Sequence, residues 1–333
     1  LAEHGDIPVM RGARRRKGTT MKKQLVTGVA FAASFGVASA DISTGVPLVD
    51  EGFEQLALRS IHGQGVWTDP WNHFQVVEDA SAAEGGRLLR VDTTNFGDFN
   101  VPGFSNRWGG WIAFAQAPLH FAPRGDVSVL SVRAFVRVRM PDHAYTRDVR
   151  AGVLLEDRTL SPVADIGVQA SGLVRGAVAA PSGAVVPHVH GTISDRSAWT
   201  EVRIRLDLAN GLGRFDCDGY ESLVFSHAAW EITRLQLSVD GRPSTVMPFR
   251  PQGVGEFDVV RVGLSRHCEG DLTLDEVVDD ADFEAFVRMY GIGRCDWMSW
   301  RDASCAADFN GDRAVDELDF ASFVTRYEAF VCG

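Results

Sequence analysis

Residues 132–140 read VRAFVRVRM, a stretch in which apolar and polar side chains alternate. Every second residue from Val132 to Met140 is apolar, and three of the four residues between them are arginine. Successive side chains of a β-strand point to opposite faces, so this pattern predicts a strand with one face on a core and the other toward water.

The same alternation recurs on both sides of this stretch. Residues 202–208 read VRIRLDL and are followed by a turn pair, Asn210 and Gly211, while residues 235–239 and 257–264 give two further strands. Turn residues return at short intervals, and residues 41–267 contain no long amphipathic helical pattern. Many short strands with one polar face predict an antiparallel sandwich of two sheets.

Four short motifs in this region resemble the laminin-G-like and concanavalin-like jelly rolls of secreted bacterial proteins. They are GFE at 52–54, GVW at 65–67, GRLLRV at 86–91 and WTEVRI at 199–204. The resemblance covers most of residues 41–267 and implies a jelly-roll sandwich. Because the motifs are mostly structural, it implies a fold rather than an activity.

The sandwich region offers few residues that could carry chemistry. Glycosidases on similar jelly rolls place paired acids on one strand, and the nearest counterpart here, Glu256 and Asp258, lacks the further acid. We therefore assign no catalytic residue. His188 and His190 lie on one side of a predicted strand, but no third metal ligand is near in sequence, so we expect surface histidines.

A glycine-rich stretch with two tryptophans is the candidate sugar contact. It comprises Asn106, Arg107, Trp108 and Trp111. Indole rings stack on the C–H faces of sugars while amide and guanidinium groups meet hydroxyl groups. The alternative is that both tryptophans pack into the sandwich core, where large aromatic side chains usually lie.

The last 66 residues contain an internal repeat. Residues 268–295 align with residues 305–332 without a gap, at a constant offset of 37. In each block, oxygen-bearing residues occupy loop positions 1, 3, 5, 9 and 12, and a backbone carbonyl is available at position 7, which is the spacing that wraps one Ca²⁺. The first loop offers Asp271, Thr273, Asp275, Val277, Asp279 and Asp282, and the second offers Asp308, Asn310, Asp312, Ala314, Asp316 and Asp319.

Each position-12 aspartate is predicted to begin a helix. The apolar residues that follow recur at helical spacing, so each helix should carry one apolar stripe that packs on the stripe of the other. The two stripes are Phe283, Phe286, Val287 and Tyr290, and Phe320, Phe323, Val324 and Tyr327.

A calcium loop followed by a helix, with no entering helix and with Asp at position 12, resembles the dockerins. The resemblance covers residues 268–333 and implies a small all-α module with two Ca²⁺ ions and a cohesin-like or other cell-surface docking partner. Position 6 is Glu276 in one loop and Arg313 in the other, so we expect a left-handed backbone there without glycine. Thr273 is a weaker ligand than Asn310, so the loop of Asp308 should bind calcium more strongly.

Four of the five cysteines fall in this tail, which in an exported protein points to two disulfides. The approximate twofold of a dockerin implies the pairs Cys268–Cys332 and Cys295–Cys305. Pairing within each block, Cys268 with Cys295 and Cys305 with Cys332, remains the alternative. Cys217 is left over and is expected to be a free or partly buried thiol in a loop.

Residues 1–40 are expected to be an upstream extension and a signal peptide. Met21 is followed by two lysines and an apolar run too short to span a membrane, and the residues ending at Ala40 suit a signal peptidase. Without these residues, which hold seven basic and two acidic side chains, the net charge falls from −11 to −16. Such an acidic chain is not expected to bind nucleic acid.

Three functions fit these patterns. The leading hypothesis is a secreted, extracellular or cell-surface protein without catalysis, in which the sandwich of residues 41–267 binds carbohydrate and the tail of residues 268–333 anchors it. The first alternative is a secreted carbohydrate-active enzyme, a glycoside hydrolase or lyase of a polysaccharide-degrading system. The second is a structural cell-surface protein.

Overall fold

The computed structural model describes residues 48–69, 72–93, 111–124, 127–139, 149–180, 184–195, 198–220, 222–241, 253–290, 306–310 and 312–329. The expected signal peptide, residues 1–40, lies outside these ranges. Ile42–Gly333 forms one compact unit that holds both the strands and the tail.

Strands fill the described part of the chain up to residue 266, and two α-helices follow them. The strands are β1 (Val49–Glu51), β2 (Phe74–Glu78), β3 (Arg87–Asp92), β4 (Trp111–Phe121), β5 (Val127–Arg139), β6 (Val149–Glu156), β7 (Pro162–Gln169), β8 (Leu173–Ala179), β9 (Val185–Thr192), β10 (Thr200–Asp207), β11 (Leu212–Cys217), β12 (Leu223–Ser226), β13 (Ile232–Gly241) and β14 (Val254–Arg266). The helices are α1 (Asp280–Met289) and α2 (Glu317–Ala329).

The strands form two antiparallel sheets. The eight-stranded sheet has the order β12-β11-β10-β5-β14-β3-β2, and β1 pairs with β14 beyond the end of β3. The six-stranded sheet has the order β4-β13-β6-β7-β8-β9. The predicted two-sheet antiparallel sandwich is therefore confirmed.

The core lies between the sheets and is built by the predicted alternation. On β5, Leu130, Val132, Ala134 and Val136 are at most 1 % exposed and belong to one continuous apolar cluster. Arg133, Arg137 and Arg139 on the same strand lie on the opposite face, as the sequence pattern indicates. Burying apolar side chains is the dominant favourable term in folding, so this alternation largely decides which face of the sheet turns inward.

A bulge interrupts β14 between Asp258 and Arg261, where the register against β5 shifts. Val259 adopts φ 50° there, in the left-handed region that β-branched residues rarely enter. The shift lets Val260 and Val262 continue the buried face while Arg261 stays exposed.

The tail has its own small core beside the sandwich. Leu272, Val278, Phe286, Val315 and Phe323 are at most 3 % exposed and form a separate apolar cluster. Each block contributes a loop followed by a helix, as the repeat predicts. Two blocks share one core because neither could bury enough surface alone.

Candidate functional site

Each tail loop brings three carboxylates together. In the first loop these are Asp271, Asp275 and Asp282, and the carboxylate oxygens they offer lie within 4.8 Å of one another. The second loop gathers its own three, Asp308, Asp312 and Asp319, within the same distance. These are positions 1, 5 and 12 of the predicted calcium loops, so the structure assembles half of each predicted ligand set from charged groups alone.

Position 12 organises each loop through backbone hydrogen bonds. Asp282 accepts from the backbone N–H of Thr273 at 2.8 Å and of Asp279 at 2.9 Å. Asp319 accepts in the same way from Asn310 at 3.1 Å and from Asp316 at 3.0 Å.

Positions 1 and 5 repeat this equivalence at the same offset of 37 residues. Asp271 accepts from the N–H of Glu276 at 2.8 Å, and Asp308 accepts from that of Arg313 at 3.0 Å. At position 5, Asp275 accepts from the N–H of the position-7 residue of its own loop at 3.0 Å, and Asp312 does so in the second loop at 2.9 Å. The two loops thus share these hydrogen bonds as well as their sequence spacing.

The backbone turns sharply at position 6 in both loops. Glu276 has φ 73° and Arg313 has φ 75°, which confirms the expected left-handed conformation without glycine. Leu274 adds φ 57° in the first loop. Each such residue costs on the order of 1 kcal/mol or more, so the first loop stores strain at two positions.

The predicted position-9 ligands cap the two helices. Asp279 caps α1 and accepts from the N–H of Ala281 at 2.8 Å, and Asp316 accepts likewise from Leu318 at 2.8 Å. These position-9 residues lie outside the carboxylate clusters, which suits a position that often reaches calcium through water.

Position 3 differs between the loops. The Oγ1 atom of Thr273 is buried and has no hydrogen-bond partner among the described residues. Asn310 at the equivalent position accepts from the N–H of Asp312 at 2.7 Å. Val277 and Ala314, the predicted carbonyl ligands at position 7, lie in the turns that follow the position-5 aspartates.

The first cluster fits a hard cation. Asp271 and Asp282 are at most 4 % exposed. Burial raises the pKa of both carboxyls, and for Asp271, where the nearby Asp282 and Asp275 charges add to the effect, to about 7. Buried, mutually repelling oxygen ligands are what a calcium ion would neutralise, and this donor set contains none of the nitrogen or sulfur atoms that zinc prefers.

The two helices pack on each other through the predicted apolar stripes. Phe286 and Phe323 stack with ring centroids 5.1 Å apart and are at most 1 % exposed. The other stripe residues also contact the opposite helix, since the ring of Phe283 lies 6.5 Å from that of Phe320 and 6.3 Å from that of Phe323. Phe283, Val287, Tyr290 and Phe320 stay 40–53 % exposed, and Val324 and Tyr327 are partly buried.

The sandwich candidates take structural positions. Glu256 is fully buried and forms ion pairs with Arg90, Arg137 and Arg139 at 2.6–2.8 Å. Burial raises the pKa of Asp258 to about 6, and its carboxylate accepts from backbone N–H groups. Glu256 is therefore held by three guanidinium groups as part of the sheet rather than presented to a substrate.

The histidine pair does not belong to a metal cluster within the described residues. His188 and His190 lie on β9, and the ring of His190 meets Phe215 edge-on at 5.6 Å. Burial lowers the pKa of both. The expectation of surface histidines was therefore wrong for His190, which packs against the core.

The thiol and the sugar-contact candidates complete the predicted set. Cys217 is free and buried, and burial raises its pKa to about 12, but it ends β11 rather than lying in a loop. Asn106, Arg107 and Trp108 lie outside the described residues, and only the backbone of Trp111, at the start of β4, falls within them.

One disulfide partner can be placed. Cys268 is disulfide-bonded, whereas Cys295, Cys305 and Cys332 lie outside the described residues. Both predicted pairings therefore remain predictions.

Sequence reasoning missed a set of buried and partly buried polar side chains on the outer face of the six-stranded sheet. This polar face comprises Arg150, Glu156, Asp165, Arg234 and Gln236. Arg150 pairs with Asp165 at 2.6 Å, and Glu156 accepts from Gln236 at 2.9 Å and pairs with Arg234 at 3.4 Å. Burial raises the pKa of Glu156 and of Asp165. No local pattern signals this face, because its members come from three different strands.

The fold and the tail geometry define a β-sandwich protein with a duplicated loop–helix tail. No helix of the described part is long and apolar enough to cross a membrane. No protein-family model and no curated protein matches the sequence.

Several solved structures are similar to this chain, all at low identity and with low TM-scores. An endo-1,3-beta-glucanase from Streptomyces sioyaensis is 12 % identical over 67 % of this chain and 97 % of that chain, with a TM-score of 0.42. Alginate lyase A1-II′, a member of polysaccharide lyase family 7, is 12 % identical over 59 % and 84 %, with a TM-score of 0.41. The botulinum neurotoxin serotype G binding domain is 8 % identical over 76 % and 54 %, with a TM-score of 0.42. At these values the similarities assign no activity.

Proposed function

We propose that the protein is exported and is anchored by its tail, residues 268–333, which acts as a calcium-dependent docking module of the dockerin kind. The sandwich is the part that the tail holds in place, and it binds a polysaccharide. The partner of the tail is a cohesin-like or other cell-surface protein.

The observation that carries the proposal is the duplicated loop geometry. The two carboxylate clusters sit at the same loop positions, and the hydrogen bonds of Asp282 and Asp319 repeat at one offset. Acidic surface clusters are common without an ion, but two copies with the same spacing, the same turn and the same helix start favour one shared ligand. The oxygen donors and the loop length suit Ca²⁺.

An exposed apolar face supports docking. Phe283 and Val287 on α1 and Leu318 and Phe320 on α2 are 40–64 % exposed, and the rings of Phe283 and Phe320 lie 6.5 Å apart. A contiguous apolar patch flanked by acidic side chains, such as Asp280, is typical of a protein interaction site. The expected partner surface is apolar at its centre and basic at its rim.

The docking proposal is tested with the full chain and a double variant, Asp282→Ala with Asp319→Ala. The chain should bind purified cohesin domains or a cell-envelope fraction in the presence of calcium, and chelation of calcium or the double variant should abolish binding. A Phe320→Glu variant should also lose binding while it keeps its calcium response. Binding that ignores both calcium and the double variant would contradict the proposal.

A carbohydrate-active enzyme is the second candidate, and the polar face favours it. Glu156 is buried beside Gln236, and a carboxyl group with a raised pKa is suited to donate a proton to a leaving group near neutral pH. Asp165 supplies a second buried carboxyl on the neighbouring strand.

A polysaccharide panel separates the three functions. Release of reducing sugar or of unsaturated product would indicate an enzyme. This activity should be lost in Glu156→Gln and kept in Glu78→Gln, a control at an exposed residue. Saturable binding without turnover would establish the carbohydrate-binding function. If neither is seen, the sandwich is a structural cell-surface domain.

A further inference from the structure

The first tail loop is attached to the sandwich by two arginines. Arg205 on β10 and Arg214 on β11 are direct cross-strand neighbours on the outer face of the eight-stranded sheet. Like charges directly opposite each other on a sheet are destabilising unless a partner neutralises them. Both side chains are only about 15 % exposed, so a partner must cover them.

The first loop supplies much of this cover, and Arg214 also pairs with Asp216 on its own strand at 2.7 Å and donates to Ser222 at 2.8 Å. Arg205 donates to the backbone oxygen of Leu274 and pairs with Glu276 at 3.0 Å. Arg214 donates to the backbone oxygen of Thr273 at 2.9 Å and approaches Asp275 at 3.6 Å.

These contacts fall where the loop is strained and negatively charged. Leu274 and Glu276 are the two residues of the first loop with left-handed backbones, and Arg205 binds both. Arg214 brings positive charge to Asp275, a member of the carboxylate cluster. Together the guanidinium groups supply the charge neutralisation and the backbone restraint that a bound cation gives such a loop.

The described residues of the second loop after Asp308 have no such support. Within the described residues, no hydrogen bond or ion pair joins the sandwich to residues 309–316. Asp312 and Arg313 are exposed. Two loops of the same internal geometry therefore stand in different electrostatic surroundings.

We infer that Arg205 and Arg214 are positioning residues that hold the first loop in its ion-binding conformation when no ion is bound. The first loop then keeps its fold without calcium, whereas the second loop requires calcium. The inference rests on the proposed calcium-dependent tail and assigns its two loops different roles, the first as a joint to the sandwich and the second as the calcium-responsive element.

The test compares amide hydrogen exchange at equivalent positions of the two loops in the full chain. The N–H groups of Thr273 and Glu276 report on the first loop, and those of Asn310 and Arg313 report on the second. Without calcium, the first pair should exchange at least about tenfold more slowly than the second, since opening the first loop breaks the arginine contacts as well.

Variants test whether the two arginines cause the slow exchange of the first loop. The Arg205→Gln, Arg214→Gln double variant should raise the calcium-free exchange rates of the first loop to those of the second. Glu276→Gln, which leaves the sandwich untouched, should give a smaller rise in the same direction. Arg203→Gln is the control, because Arg203 lies on the same strand, is about half exposed and pairs with Glu201.

The outcomes separate the inference from the proposed function. Equal calcium-free rates in the two loops of the native chain, or unchanged first-loop rates in the double variant, would overturn the inference. If calcium slows exchange in neither loop of any variant, the proposed calcium dependence fails, while the calcium-free rates still decide whether the arginines hold the loop.

Discussion

The position-12 aspartate of the second loop offers a quantitative perturbation. Asp319 is fully buried and accepts backbone hydrogen bonds with both carboxylate oxygens. In Asp319→Asn, one oxygen becomes an N–H₂ group that faces a backbone N–H donor. Leaving that buried donor unsatisfied should cost the ordered loop about 1–3 kcal/mol.

Calcium adds a second loss. A ligand at a hundred times its dissociation constant stabilises the folded state by about 2.7 kcal/mol, and the variant should lose this gain at the second loop. In saturating calcium, Asp319→Asn should therefore lower the free energy of unfolding of the tail by about 4–6 kcal/mol. Urea-dependent hydrogen exchange of the α2 amides measures this quantity in the full chain.

A matched control removes the same charge elsewhere. Glu284 on α1 is exposed and pairs only loosely with Arg288, at 3.4 Å, so Glu284→Gln should change the unfolding free energy little. Were Asp319→Asn to behave like Glu284→Gln in saturating calcium, the role given to Asp319 in the second loop would be refuted.

Three further predictions concern the calcium loops, the ion pair of His267 with Asp207, and the disulfides. Asp308→Ala should weaken calcium binding more than Asp271→Ala. If calorimetry finds equal losses of calcium affinity in the two variants, the second loop does not bind calcium more strongly than the first. His267 pairs with Asp207 at 2.7 Å, and this hydrogen bond raises the pKa of His267 although burial opposes it. The stability that the pair contributes is therefore complete between about pH 4 and pH 6.5 and is lost as pH rises through the folded pKa of His267 or falls through that of Asp207, a dependence that Asp207→Asn should abolish in urea unfolding. Non-reducing peptide mapping should link Cys268 to the C-terminal peptide, and a link to the peptide ending the first block would instead establish pairing within blocks.

The sheet faces and the tail loops were predictable because their signals are local. The alternation after Val132 identifies the buried face of β5, and the helical spacing of the tail places Phe286 and Phe323 in the same core. The left-handed backbones at Glu276 and Arg313 follow from the loop position alone, since a turn of that sharpness needs positive φ whatever residue occupies it.

The remainder depends on contacts between distant segments. In sequence, Arg205 and Arg214 are typical of a solvated strand face, and only the folded chain shows that a loop about 60–70 residues further on covers them. Glu156 and Gln236 meet across adjacent strands although they are 80 residues apart. Alternation predicts which side of a sheet a residue occupies, but not what lies against that side.

A calcium titration of the full chain by isothermal calorimetry, with magnesium as the control ion, tests whether the two carboxylate clusters are calcium sites. We predict two calcium ions per chain, bound at dissociation constants of about 10⁻³ M or below. The double variant Asp282→Ala, Asp319→Ala should bind neither ion. No calcium binding at about 10 mM, or binding that survives in the double variant, would contradict the assignment of the two carboxylate clusters as calcium sites.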